Sequence, residues 1–146
     1  MGDVVNQDRA YTIEVLLALV QMFEHEWETL HLHMPLASVC ACMFLLVSCL
    51  GGMRGFKVVW MELAALQYDV AYCEAAEDEL AVSWPIVGQF KAQQGVWDCY
   101  MIPIAGLTHS GIQFFTWTQR FIQHLALKGF EEGWAFRRLD GLQAKA

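Results

Sequence analysis

From Met34 to Met53 the chain carries no charged side chain. A run of that length has two physical fates, a membrane span or a buried core element. Pro35, Ser38, Ser48, Gly51 and Gly52 interrupt it, and its strongly apolar part extends only from about Val39 to Leu50. That part is shorter than the roughly 20 residues a spanning helix needs, and it suits a core helix. A membrane-associated protein using residues 34–53 is the less favoured alternative.

The flanking patterns give the rest of the organisation. Asp8 to about Leu30 reads as a helix whose polar stripe is Glu14, Gln21, Glu24 and Glu28. Leu16, Leu17, Leu19, Val20 and Phe23 cover most of the remainder, which predicts burial on a broad face. Pro35 starts a second helix, Leu36 to Leu50, and Gly51-Gly52 ends it by admitting a left-handed residue. A third helix is expected from about Arg54 to Leu66. The period then shortens. Leu80, Val82, Trp84 and Ile86 alternate as a strand, with Pro85 marking an edge, and Tyr100, Ile102 and Ile104 make a second. Lys91 to Gly95 reads as the turn between them, and an additional strand is expected near Tyr68 to Cys73. Ser110 would cap a last helix to about Lys128, buried through Phe114, Trp117, Phe121 and Leu125, with Gln113, Thr116, Arg120 and Gln123 on its polar side. Gly129 stops it, and Gly133 to Arg138 is extended. The fold class is α+β: one domain over 1–146, mostly helical, with a small antiparallel sheet of two to three strands between helices.

Length and composition fit that reading. A chain of 146 residues can bury one real core, and nine Phe, six Trp and seven Met supply its bulk. The net charge of −7 opposes non-specific nucleic-acid binding by the chain as a whole, since neutralising phosphates requires surplus Lys and Arg. The cysteines Cys40, Cys42, Cys49, Cys73 and Cys99 are odd in number and include no CxxC pair. With no signal-peptide pattern at Met1-Gly2-Asp3, they read as reduced, mostly buried thiols of an intracellular protein. The expected compartment is the nucleus of a eukaryote, otherwise the cytoplasm.

Few constellations carry chemistry. His31, His33, Cys40 and Cys42 offer four potential zinc ligands, but their spacing matches no closed site. On a helix, Cys40 and Cys42 point about 200° apart. No metal or small-molecule cofactor is therefore expected. No nucleophile elbow, phosphate-binding glycine loop or dinucleotide fingerprint occurs. The most informative stretch is Leu50-Gly51-Gly52-Met53-Arg54-Gly55-Phe56-Lys57. An apolar helix ends in glycines, and a sharp turn would set Arg54 at a fixed point, where a guanidinium suits bidentate phosphate recognition. The plain alternative is an arginine that caps the preceding helix or pairs with Glu62.

In this order of elements the chain resembles the tyrosine recombinases, the phage-integrase-type DNA strand-exchange enzymes. Their catalytic domain has an apolar helix, a glycine–arginine turn, a second helix ending near an Asp, a β-hairpin with a catalytic lysine, a further helix and a short Phe-containing segment. The corresponding residues here are Gly52-Met53-Arg54, Leu63 to Asp69, Gly88-Gln89-Phe90-Lys91 leading into Tyr100 to Ile104, the helix after Ser110, and Trp134-Ala135-Phe136 before Asp140-Gly141. The likeness covers about Pro35 to the C-terminus. It implies duplex DNA as ligand. It also implies that Arg54 binds the scissile phosphate and stabilises its transition state, and that Lys91 contacts DNA and protonates the leaving 5′ oxygen.

The chain departs from that family in three places. Lys57 stands where members usually carry Glu. No His-x-x-Arg occurs, and all four tyrosines (Tyr11, Tyr68, Tyr72 and Tyr100) precede the end of the matched region. The phosphotyrosyl step thus has no candidate nucleophile. The expectation is the front half of a catalytic domain, with DNA integration and recombination as its ancestry and no autonomous activity. A half-domain would expose an apolar face for self-association or a protein partner. A small α+β interaction module using such a face is the rival reading.

Overall fold

In the computed structural model the described residues are 12–52, 61–75, 81–88 and 98–136. Helix α1 spans Ile13–Leu30 and α2 Leu36–Leu50, joined through a 3-10 turn at His31–His33. Helix α3 is Leu63–Ala75, strands β1 and β2 are Ala81–Gly88 and Asp98–Ala105, and α4 is Phe114–Leu127. The result is α+β: among the described residues, four α-helices with a two-stranded antiparallel sheet between them.

The charge-free segment becomes the core helix. In α2, Leu36, Val39, Cys40, Cys42, Met43, Leu46 and Val47 are all buried. Its 15 residues rise roughly 22 Å at 1.5 Å each, well short of a ~30 Å hydrocarbon layer. No helix among the described residues is long and apolar enough to cross a membrane. Gly52 takes the left-handed φ of +66° just past the helix, as the glycine pair predicts.

The expected additional strand near Tyr68 to Cys73 does not form; those residues lie within α3. Tyr68, Val70 and Tyr72 do alternate, but Leu63, Leu66, Val70 and Cys73 recur at helical spacing and are the ones buried. Tyr68 and Tyr72 point to solvent. Burial of the 3.6-residue stripe decides between two periods that overlap in one short window.

The hairpin pairs Val82 with Ile104 and Trp84 with Ile102, and Val82, Trp84 and Ile104 are buried. Asp69 on α3 accepts a 2.9 Å hydrogen bond from the Ser83 N–H, so that N–H faces away from β2. Pro85, two residues on, and Pro103, paired with Ser83, fall at the same outward-facing positions. Neither proline removes a ladder bond there.

Ser110 is not the cap of α4. Its hydroxyl lies 2.9 Å from that of Thr108, and the Thr108 hydroxyl accepts from the Ile112 N–H. The polar residues thus close a turn before the helix, which starts at Phe114. At its other end the Gly129 N–H donates to Ala126 and the Phe130 N–H to Leu125, both at 2.9 Å. With Gly129 at φ +84° this is a Schellman ending. The extended segment beyond it pairs with the start of α3: Leu63 N–H donates to Gly133 and Ala135 N–H to Met61, both at 2.8 Å. Phe136 then enters the core, 5.2 Å from Phe121, 5.8 Å from Phe44 and 6.3 Å from Trp84 between ring centroids. One side chain thereby ties α4, α2 and β1 together.

Candidate functional site

Arg54 and Lys91 both lie outside the described residues. The surrounding frame is described. α2 ends at Leu50 and the chain resumes at Met61, while β1 ends at Gly88 and its partner β2 begins at Asp98. Arg54 therefore belongs to the connection from α2 to α3, and Lys91 to the connection closing the hairpin. The Lys91 to Gly95 turn and most of the acidic run Glu74 to Glu79 also lie outside the described residues.

The residues that the fold does bring together are ones the sequence reading left on a polar stripe. Arg120 on α4 donates from Nη1 to Glu24 Oε1 on α1 at 2.9 Å, with its side chain only 16% exposed. Its guanidinium carbon lies 4.6 Å from the ring centroids of both Trp27 and Trp117. Two indole faces and a carboxylate thus hold one cation. Each cation–π contact contributes about 0.5–2 kcal/mol, more as water is excluded. Trp117 was legible as core, but the pairing of Arg120 with Glu24 across 96 positions left no sequence signal beyond α1 having acids and no Lys or Arg.

His124 sits one turn further along α4, buried, with its ring centroid 5.2 Å from Trp27. Its Nδ1 is 3.1 Å from the Arg120 carbonyl. A carbonyl only accepts, so Nδ1 carries the hydrogen. Nε2 has no hydrogen-bond partner. Burial pushes the imidazole below its ordinary value and Lys128 adds to this, while the Arg120 and Met34 backbones act the other way. Beside this group the Cys42 thiol is driven far up, first by burial and then by Glu24, with Arg120 opposing. It is an inert protonated thiol rather than a nucleophile.

The possible zinc ligands separate. His31 and His33 are exposed in the 3-10 turn, whereas Cys40 and Cys42 are buried in α2. Among the described residues no three His, Cys, Asp or Glu are grouped to hold a metal. Cys73 is buried with its Sγ 3.6 Å from the Ala81 carbonyl, and Cys49 is half-buried.

Two concavities accompany these elements. A cleft of about 400 Å³ between α1 and the loop before α4 is lined by Gln21, Glu24, Glu28, Ser110 and Gln113. Glu28, the carboxylate there without the Arg120 pairing of Glu24, repels phosphate. A groove of about 220 Å³ between α3 and α4 presents Gln67, Gln119 and Gln123 around Val70 and Ile122.

Comparison with protein-family models, with curated proteins and with solved structures finds no match to this chain.

Proposed function

We propose that this chain is a tyrosine-recombinase-like domain whose ligand is duplex DNA, with Arg54 and Lys91 as phosphate contacts. The observation that supports this reading best is the order of elements. An apolar helix (α2), a glycine turn, a second helix (α3), an antiparallel hairpin and a further helix (α4) follow one another as in that family's catalytic domain. The Arg54 and Lys91 positions fall in the two connections where the family carries its first arginine and its lysine.

The charge distribution is compatible with it. Of the nine Lys and Arg, only Arg120 and Lys128 occur among the described residues, and Arg120 is already neutralised by Glu24. Ten of the 16 Asp and Glu occur among the described residues, so the acidic balance of the chain resides there, while Arg54, Lys57 and Lys91 lie outside them. Binding of the full chain to a fluorescent duplex, followed by anisotropy across a salt series, tests the reading. Arg54→Ala and Lys91→Ala should each weaken binding and lower the salt slope by about one. Affinity and slope unchanged in both variants would reject it.

The interaction-module reading is favoured by a different observation. On α1, Ile13, Val15 and Met22 are 45%, 43% and 68% exposed, an unusual run of apolar side chains on one solvent-facing helix. Sedimentation velocity separates the two readings. Concentration-dependent association without DNA affinity supports the module, and a monomer that binds DNA supports the recombinase-like domain.

A further inference from the structure

We propose that His124 is a proton-operated latch: neutral, it lets α1 dock on α4, and protonated, it releases α1 from an otherwise intact core. The inference is independent of the DNA reading.

Its basis is the way α1 is held. Only Leu16 and Val20 of that helix are buried. Leu17, Phe23 and Trp27 pack against the core half-buried; of these, Trp27 meets His124, Trp117 and Arg120 together, next to the Glu24–Arg120 pair. His124 is thus buried beneath the indole that anchors the helix. Its Nδ1–H is committed to the Arg120 carbonyl and its Nε2 is enclosed without a partner. A proton can bind only at Nε2. Binding there puts a second positive charge against the Trp27 ring that already holds the Arg120 guanidinium, and it desolvates an imidazolium.

On α4 the Arg120 carbonyl favours the charged ring, and Lys128, just past its end, disfavours the proton. From α1 come Trp27 and Glu24, the latter already neutralised by Arg120. From α2 comes Cys42, held protonated. From the turn between α1 and α2, the Met34 backbone favours the charged form, and His31 lies edge-on to the same Trp27 indole at 6.3 Å. The net direction is downward. The folded chain therefore resists a proton that the unfolded or undocked chain accepts. Docking is at full strength above the ordinary imidazole value of 6.5 and weakens as pH falls from there through the folded value.

Hydrogen exchange of the full chain, measured from pH 7.5 to 5 and corrected for intrinsic exchange, provides the test. Opening of α1 relative to α2 should rise by up to about tenfold per pH unit below 6.5, the limit for a one-proton link. His124→Asn, which keeps a donor near the Arg120 carbonyl but cannot ionise, should abolish the rise, and His31→Gln should retain it. Should His124→Asn fail to fold, the wild-type ring proton resonance of His124 must titrate together with the Trp27 indole signal. Parallel pH responses of α1 and α2, an unaltered rise in His124→Asn, or a His124 titration without change at Trp27 would each overturn the latch.

Discussion

Helices α1 and α2 are both rich in Leu, Val and Met, yet the fold treats them differently. α2 buries seven of its 15 residues, α1 two of its 18. The difference lies in charge placement. α2 has none, so every face can meet protein, and α4 and Phe136 close over it. α1 carries Glu14, Glu24, Glu26 and Glu28 with no Lys or Arg, and the acids toward its C-terminus oppose the helix dipole. Arg120, reaching from α4, supplies the missing countercharge. An apolar helix becomes core only where its surroundings leave no charge to solvate; otherwise it is a strap held at a few points.

The largest effect that would sharpen the contrast comes from α2. Leu46→Ala should lower stability by about 3 kcal/mol in urea denaturation, since a fully buried side chain leaves a cavity. A loss below 1 kcal/mol would mean that α2 is not the centre of the core. Next is the strap itself. Arg120→Ala removes two cation–π contacts and the Glu24 pair, at a cost of about 2 kcal/mol, reduced by the partial exposure of Glu24. Arg120→Lys should recover only part of this, because an ammonium cannot lie flat between two indoles. Smallest is the outer face of α1. Met22→Ser, at a site 68% exposed, should shift the urea midpoint by no more than the equivalent of about 0.5 kcal/mol. A larger loss would show that this face is covered in solution.

Much of the frame was readable before any coordinates. The bounds of α2 follow from Pro35 and the glycine pair, and the hairpin follows from two alternating runs punctuated by Pro85 and Pro103. Leu16, Val20, Phe114, Trp117, Phe121 and Leu125 are core as their spacing predicts. Several expectations failed for identifiable reasons. The third helix, expected from about Arg54 to Leu66, instead spans Leu63–Ala75, because Glu62 is taken up in a bridge to Trp134. Tyr68 to Cys73 satisfied two periods at once, and packing against β1 selected the helical one. Ser110 has the chemistry of a cap, but its hydroxyl is used by Thr108. Leu19 is only half-buried because nothing among the described elements covers that side of α1. The proposed DNA contacts, Arg54 and Lys91, are sequence-level assignments in connections outside the described residues.

The sequence by itself determined α2, the hairpin, the body of α4 and the stretch that would be buried, because periodicity, proline, glycine and the absence of charge act locally; the bounds of α3 were decided by packing. Tertiary structure alone decided that Arg120 would leave its polar stripe for a slot between Trp27 and Trp117, and that His124 would be sealed beneath them. Both outcomes depend on α1 and α4 meeting across about a hundred residues of chain. No local pattern specifies the partner of a single charge over that distance; only the packed core, by excluding water from the junction, makes that pairing the favourable one.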